Sequence, residues 1–273
     1  MQFEIGMSPC PNDTFIFDAL INKKIDTGNL EFKAVMEDVE TLNRWALSGK
    51  LPVSKISYGV LPLVVDRYSV LDSGSALGVG VGPLLISQNN TDIDVNNQLI
   101  AIPGENTTAN LLFSLAYPSE KNKVFLRYDK IEDFVLQGKG LGVIIHENRF
   151  TYQTKGLHKI SDLGNVWETK MKLPIPLGGI VIKSDIDNNI KKQVGSLIRK
   201  SLQYSFSTLP TLSNFITSNA QEMSEDVMRK HIDLYVNDYS ISLGEKGKKA
   251  IKKFMEISAS IKCEGVKEIE FVD

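Results

Sequence analysis

Cysteine is nearly absent from this sequence: Cys10 and Cys263 are the only two among 273 residues. They stand near opposite ends of the chain, so neither takes part in a metal-ligand spacing. Histidine is almost as sparse, with three copies, and no HExxH pair or Ser-His-Asp order accompanies them. No metal centre and no covalent triad are expected. Charge of neither sign prevails, and a net charge of -2 leaves no electrostatic footprint for nucleic acid. No apolar run approaches the roughly 18 residues a membrane helix requires, and the N-terminus lacks the basic-then-apolar pattern of a secretory leader. Internal repeats and low-complexity tracts are missing too. The expectation is a reduced, metal-free, cytoplasmic protein, a monomer or homodimer, with no nucleic-acid or membrane partner. Its 42% hydrophobic and 23% charged residues suit one large or two small globular domains.

The run FEIGMSPCPNDTFIFDAL at 3–20 reads as strand, tight polar loop and helix. Residues 3–7 are short, apolar and β-compatible. Pro9 and Pro11 lack the N–H that a central strand needs, so the strand stops before them. Asn12 or Asp13 offers a side-chain oxygen to cap the following helix. Chain that leaves a strand's carboxyl end and enters a helix faces the crevice of an α/β sheet.

Strand-like segments at 30–36, 53–58, 68–71 and 84–87 then alternate with a helix capped by Asp38 and a helical turn at 60–65. This alternation implies a parallel or mixed sheet with crossovers. Residues 74–82 hold four glycines ahead of Pro83. Their spacing is not GxGxxG and a strand follows, so close backbone packing at a cleft edge explains them better than a dinucleotide loop. A second α/β unit has strands at 99–102, 123–127 and 142–145 and helices at 109–117 and 131–136. Residues 152–162 read as a lid or loop with a short helix, and 163–169 as irregular. A strand at 174–182 is followed by helices at 190–208, 218–236 and 247–261. The fold class is therefore α/β with two lobes. One is discontinuous, residues 1–90 and 175–273, and the other, 91–174, is inserted. The expected crossings lie near 87–92 and 174–182. A small ligand in such a hinged pair sits between the lobes.

Three loops can converge on that cleft. One carries Asn12 and Asp13. The second is Lys55-Ile56-Ser57, at a strand end in the same lobe. The third is Asn106-Thr107-Thr108, which opens a helix in the other lobe. Their hydroxyls, amides and orphan helix N–H groups suit a small-molecule carboxylate. Each has a plainer reading on its own. Thr107 and Asp13 serve equally well as N-caps, and Lys55 on an alternating strand more often faces solvent, with Ser57 at the same parity. His146 follows the apolar residues 142–145 at a strand's carboxyl end. Imidazole titrates near neutral pH, which makes His146 the best candidate for proton transfer; the alternative is a hydrogen-bonded structural histidine. Glu147 and Arg149 are placed to orient it or a substrate, or to be solvated. His158 and His231 sit in polar surroundings and read as surface residues. Cys10 reads as a small buried thiol.

Taken together, several runs resemble a known family: SPCPNDTFIF at 8–17, VSKISY at 53–58, PGENTTA at 103–109, IHENRF at 145–150 and PLGG at 176–179. They are similar to the 1,4-dihydroxy-6-naphthoate synthases of the futalosine route to menaquinone. The first and fourth runs are specific, Lys-Ile-Ser is supportive, and the match extends to about residue 182. The resemblance implies a fold like the type II periplasmic binding proteins, used for catalysis inside the cell. It implies a carbon–carbon lyase acting on cyclic dehypoxanthinyl futalosine, with 1,4-dihydroxy-6-naphthoate and dihydroxyacetone as products and no metal or organic cofactor. It also implies His146 as proton acceptor, with substrate contacts at Lys55, Ile56, Ser57, Thr107 and Thr108. Chorismate dehydratase shares the fold and pathway and differs mainly at residues 8–14. A solute-binding protein for a small carboxylate is the non-enzymatic alternative.

Overall fold

The computed structural model describes residues 1–89, 93–221 and 224–273. In chain order the elements begin with β1 Gln2–Met7, α1 Pro11–Ile21, β2 Glu31–Met36, α2 Val39–Leu47, β3 Val53–Ser57, α3 Leu61–Val64, β4 Tyr68–Leu71, β5 Ala76–Gly78 and β6 Leu84–Ser87. They continue with β7 Ile100–Ile102, α4 Thr108–Ala116, β8 Lys123–Phe125, α5 Ile131–Leu136, β9 Leu141–Ile144, α6 Asn148–Thr151, β10 His158–Asp162 and α7 Leu163–Met171. The last part holds β11 Ile175–Lys183, α8 Asn188–Ser207, α9 Asn214–Asn219, α10 Glu225–Tyr235, α11 Asp238–Ile241, α12 Gly244–Lys262 and β12 Phe271–Val272.

These strands form two sheets. The first runs β12-β4-β11-β3-β1-β2, with β5 also on β11, and the second runs β10-β6-β9-β7-β8. Both are mixed. In the first, β1 is parallel to β2 and β3 while β11 is antiparallel to β3 and β4. One strand differs from expectation. β6 pairs antiparallel with β9 and β10, so residues 84–87 belong to the inserted sheet and not to the lobe expected to end at residue 90. The first crossing therefore lies between Gly78 and Leu84. A short, fully apolar strand has the same pattern whichever sheet it joins, so periodicity did not place it. Asn90, Thr91 and Asp92 of the expected crossing lie outside the described residues, as do Glu222 and Met223 of the expected helical stretch.

Residues 158–162 form a strand where a lid was expected, and 163–169 lie in α7 rather than in an irregular stretch. Asp162 caps that helix, accepting from the Gly164 and Asn165 N–H groups at 2.9 and 3.2 Å. Glycine in the first turn weakens the helical signal. Its place is forced by packing, because a Cβ on Gly164 would stand 2.7 Å from the Gly82 Cα.

α1 is the buried axis of the larger lobe: Pro11 through Leu20 are all buried. A helix apolar on most faces has to be enclosed. α8 encloses it through small residues. The Ser201 hydroxyl donates to Ile16 O at 2.7 Å and accepts from Leu20 N–H at 3.1 Å, and the Ser205 hydroxyl donates to Phe15 O at 2.8 Å. The helix begins at Pro11, with Cys10 as N-cap residue and no side-chain cap. Proline at N1 has no N–H to satisfy. The expected cap role of Asn12 or Asp13 is thus not used, and both side chains are free for other partners. Among the described residues, no helix is long and apolar enough to cross a membrane.

The lobes touch where β3 runs out beside the start of α4. A Cβ on Gly59 would lie 2.4 Å from the Thr107 carbonyl carbon and 2.7 Å from Thr108 N. Gly59 N–H donates to Thr108 Oγ1 at 3.2 Å, and that hydroxyl donates to Leu177 O at 2.7 Å. Backbone cannot yield as a flexible side chain does, so Gly59→Ala will push the lobes apart. We expect a loss of about 1–3 kcal/mol in urea unfolding together with a raised KM. An unchanged unfolding midpoint would show that the contact is dispensable.

Candidate active site

A cleft of about 690 Å³, counting the space open to solvent, receives residues from both lobes. All eight residues expected at the site line it. Asn12 and Asp13 come from the first turn of α1, Lys55, Ile56 and Ser57 from β3, Thr107 and Thr108 from the start of α4, and His146 from the turn after β9.

Lys55 departs from the alternation argument. β3 is buried along its whole length, so neither face meets solvent. The Lys55 ammonium lies 3.1 Å from Asp13 Oδ1 and donates to Gly74 O at 3.0 Å. Asp13 Oδ2 accepts from Ser8 N–H at 3.0 Å and from the Ser8 hydroxyl at 2.7 Å. Asn12 Nδ2 donates to Asp13 Oδ1 at 3.0 Å. The carboxylate is surrounded by donors.

Thr107 does act as a cap. It accepts from Asn110 N–H at 3.2 Å and donates to Gly104 O at 2.8 Å. Two α2 residues that sequence reasoning missed complete this side of the cleft. Asn43 Nδ2 donates to Ser57 Oγ and to Asn106 O, each at 3.2 Å, while its Oδ1 accepts from Ser57 N–H at 2.9 Å. Glu40 accepts from Asn106 N–H at 3.3 Å and from Asn106 Nδ2 at 3.1 Å, and burial raises its pKa above the usual carboxylate range. Glu40 and Asn43 are three apart, on one face of α2. Only the position of α4 in space gives that face a partner.

His146 has φ 55°, in the left-handed region. A non-glycine residue there costs of order 1–3 kcal/mol and marks a place where direction matters more than comfort. The turn sets the imidazole edge-on to Tyr128, centroids 5.2 Å apart, and parallel to His231 at 6.1 Å with an interplanar angle of 13°. Burial lowers its pKa below the ordinary 6.5, with Glu147 the largest opposing influence. The ring is neutral at pH 7, the form a base requires.

His231 corrects an expectation. Read as a surface residue, it is fully buried. Its Nε2 lies 3.0 Å from Asn12 Oδ1 and its Nδ1 lies 3.6 Å from Glu147 Oε2. Burial first, and His146 second, hold its pKa well below 6.5. The missed signal is the stripe Met228, His231, Ile232 and Tyr235, the buried face of α10, which has helical spacing. Glu147 is buried too. Arg149 donates to Gly80 O at 2.7 Å and to Gly82 O, and meets Asp162 at 3.3 Å, tying α6 to the crossing. His158 is half-buried on β10 and does not line the cleft. Cys10, His146 and Glu147 each bring one metal-ligand-type atom to within 4.8 Å of the others, a grouping hidden from sequence spacing. Burial raises the Cys10 thiol well above its ordinary pKa.

Two α/β lobes with a ligand cleft between them define the periplasmic-binding-protein-like class. A Candida albicans protein described as having the generic periplasmic binding protein fold superposes with TM-score 0.67 at 13% identity, over 99% of this chain and 97% of that one. More specifically, the chain belongs to the menaquinone biosynthesis family, whose model matches residues 3–260. It is 42% identical over 257 residues to the 1,4-dihydroxy-6-naphthoate synthase of Thermus thermophilus, covering 93% of each chain. The crystal structure of an Archaeoglobus fulgidus protein matches with TM-score 0.90 and 31% identity, over 96% of this chain and 98% of that one.

Removing one member of a buried ion pair strands the other. Lys55→Met should therefore cost about 3–5 kcal/mol in chemical unfolding. Adding Asp13→Asn should recover part of that loss, a coupling visible in a double-mutant cycle. Simple additivity of the two changes would show that the pair does not act as a unit.

Proposed function

We propose that this chain is a carbon–carbon lyase of menaquinone biosynthesis that converts cyclic dehypoxanthinyl futalosine to 1,4-dihydroxy-6-naphthoate and releases dihydroxyacetone. Family membership supports the reaction. The observation that supports the mechanism is His146, an imidazole with lowered pKa held by a left-handed turn at the wall of the cleft.

In this reading the substrate carboxylate lies at the start of α4. The first N–H groups there have no intrahelical acceptor and the helix end carries partial positive charge. Asn12, Ser57, Thr107 and Thr108 shape the polar wall, and Ile56 supplies apolar contact. Lys55 has three N–H bonds, two of them engaged by Asp13 and Gly74, which leaves one for a ligand oxygen. Asp13 holds Lys55 and Asn12 in place. His146 removes a proton next to a substrate carbonyl and opens the sugar-derived ring. Retro-aldol cleavage of a carbon–carbon bond follows, driven by aromatisation of the remaining rings. The step needs a base and donors for the developing enolate oxygen. The Gly59, Asn43 and Glu40 contacts between lobes exclude water around it. The eight expected residues line a cleft within one chain, and we assign a monomer or a homodimer. The cytoplasm is the compartment we assign, where the free thiols of Cys10 and Cys263 stay reduced.

Incubation with the cyclic futalosine derivative and, separately, with chorismate distinguishes the readings. Naphthoate from the first is expected. Dehydration of chorismate would mark the sister activity, and turnover of neither would favour a solute-binding protein. Asparagine tolerates the left-handed region, so His146→Asn should melt at or above the wild-type temperature while losing about 100- to 10,000-fold in kcat. Near-normal turnover by that variant would sink the base assignment. Because the base acts unprotonated and its pKa is lowered, kcat/KM should hold steady from pH 7 down past 6.5 and fall only on further acidification. An acid limb centred above 6.5 would contradict this.

A further inference from the structure

Glu147 and His231 have no part in the chemistry assigned so far, yet both are buried beside the base. Both carboxylate oxygens of Glu147 and the Nδ1 of His231 are buried polar atoms without a hydrogen-bond partner. Leaving such an atom unsatisfied is costly, because its hydration is lost and nothing replaces it. Here three of them sit together at a cleft wall, since His231 lines the cleft.

The hydrogen-bond chain from Lys55 settles where the protons lie. Asp13, 3.1 Å from the ammonium, accepts from Ser8 and from Asn12. Asn12 therefore turns Nδ2 toward Asp13 Oδ1, at 3.0 Å, and its Oδ1 toward His231. An amide oxygen only accepts, so His231 Nε2, 3.0 Å away, carries the hydrogen. In a neutral imidazole Nδ1 is then a bare lone pair. It faces Glu147 Oε2 at 3.6 Å, and two bare acceptors would repel. One proton between them removes the conflict. Of the other titratable or charged groups around the pair, His146 is the base, and the buried Tyr128 hydroxyl has no hydrogen-bond partner. Burial keeps Cys10, Tyr128 and Tyr235 protonated. Asp13 holds Lys55, and Arg149 holds Asp162.

The chemistry needs such a proton, granted the lyase reading above. One molecule is split into two without a co-reactant, so a proton taken from one atom is owed to another. We propose that Glu147 and His231 hold one proton between Oε2 and Nδ1 and act as the acid that protonates the cleavage product, complementing His146 as base. The substrate C–H bond breaks as His146 gains its proton. The electron pair of the broken carbon–carbon bond ends on the enolate. The enolate takes the Nε2 proton of His231, while Nδ1 gains the proton shared with Glu147, which is left as carboxylate. The His146 imidazolium then returns its proton, through solvent in the cleft, to the bare His231 Nε2, the two rings standing 6.1 Å apart; the Nδ1 proton is again shared with Glu147, and the starting state is restored.

Glu147→Gln keeps the shape and offers Nδ1 an amide N–H but has no proton to give. His231→Gln keeps an amide to reach Asn12 and has no relay. Each is assayed in D2O with the cyclic futalosine derivative, following naphthoate release and deuterium in recovered substrate. We expect KM within about threefold of wild type and naphthoate release slowed by about 100-fold or more. Deuterium should appear in unconverted substrate, because His146 still removes its proton while product protonation stalls. Near-wild-type release by a folded Glu147→Gln or His231→Gln protein overturns the pair. So does loss of exchange together with cleavage in a folded, substrate-binding variant. His146→Asn serves as the separate control: exchange that persists there refutes the base assignment, and not the acid.

Discussion

A buried ammonium and a buried carboxylate, Lys55 and Asp13, stand 3.1 Å apart at the wall of the cleft. Desolvating two charges is expensive, and apolar residues of the same volume would often serve stability as well. What the pair provides is direction. Asp13 organises Ser8 through two hydrogen bonds and turns the Asn12 amide. Asn12 in turn fixes the tautomer of His231 on a helix more than two hundred residues later. Lys55 draws β3 to the glycine at 74. One ion pair thus ties the first strand–helix turn, the central strand and the C-terminal helices to a single geometry.

Close backbone approach is the second constraint. Gly59 against Thr107, and Gly82 against Gly164, leave no room for a Cβ. The first sets how near the start of α4 comes to β3, and the second sets the crossing between lobes. Between these contacts His146 occupies a strained left-handed turn. Such strain persists only where surroundings over-determine it, and here Arg149 ties the segment after it to Gly80 and Gly82. Rigid walls and one strained histidine suit the proposed reaction, whose demand is orientation of proton donors and acceptors.

Much of this architecture was legible in the residue order. Strand and helix alternation, the Asp38 and Thr107 caps, and His146 at a strand's carboxyl end follow from local pattern, as does close packing at Gly74, Gly78 and Gly82, though Gly80 has open space beside it. The failures share a cause. Lys55 was placed by alternation, but alternation reports a face only when one side meets water. His231 was read from its polar neighbours, although the stripe on α10 is apolar. Residues 84–87 were assigned by sequence proximity, yet strand pairing is decided by partners far along the chain.

The sequence by itself determined the class of fold, the family, and the three loops and one histidine that face the cleft, because these are written in short runs with local physical meaning. Only the tertiary structure decided which partners those residues meet. Glu40, Asn43, Glu147 and His231 acquire roles through burial and through partners on other elements. Desolvation and hydrogen-bond direction are properties of surroundings, and one chain order does not reveal surroundings until it is folded.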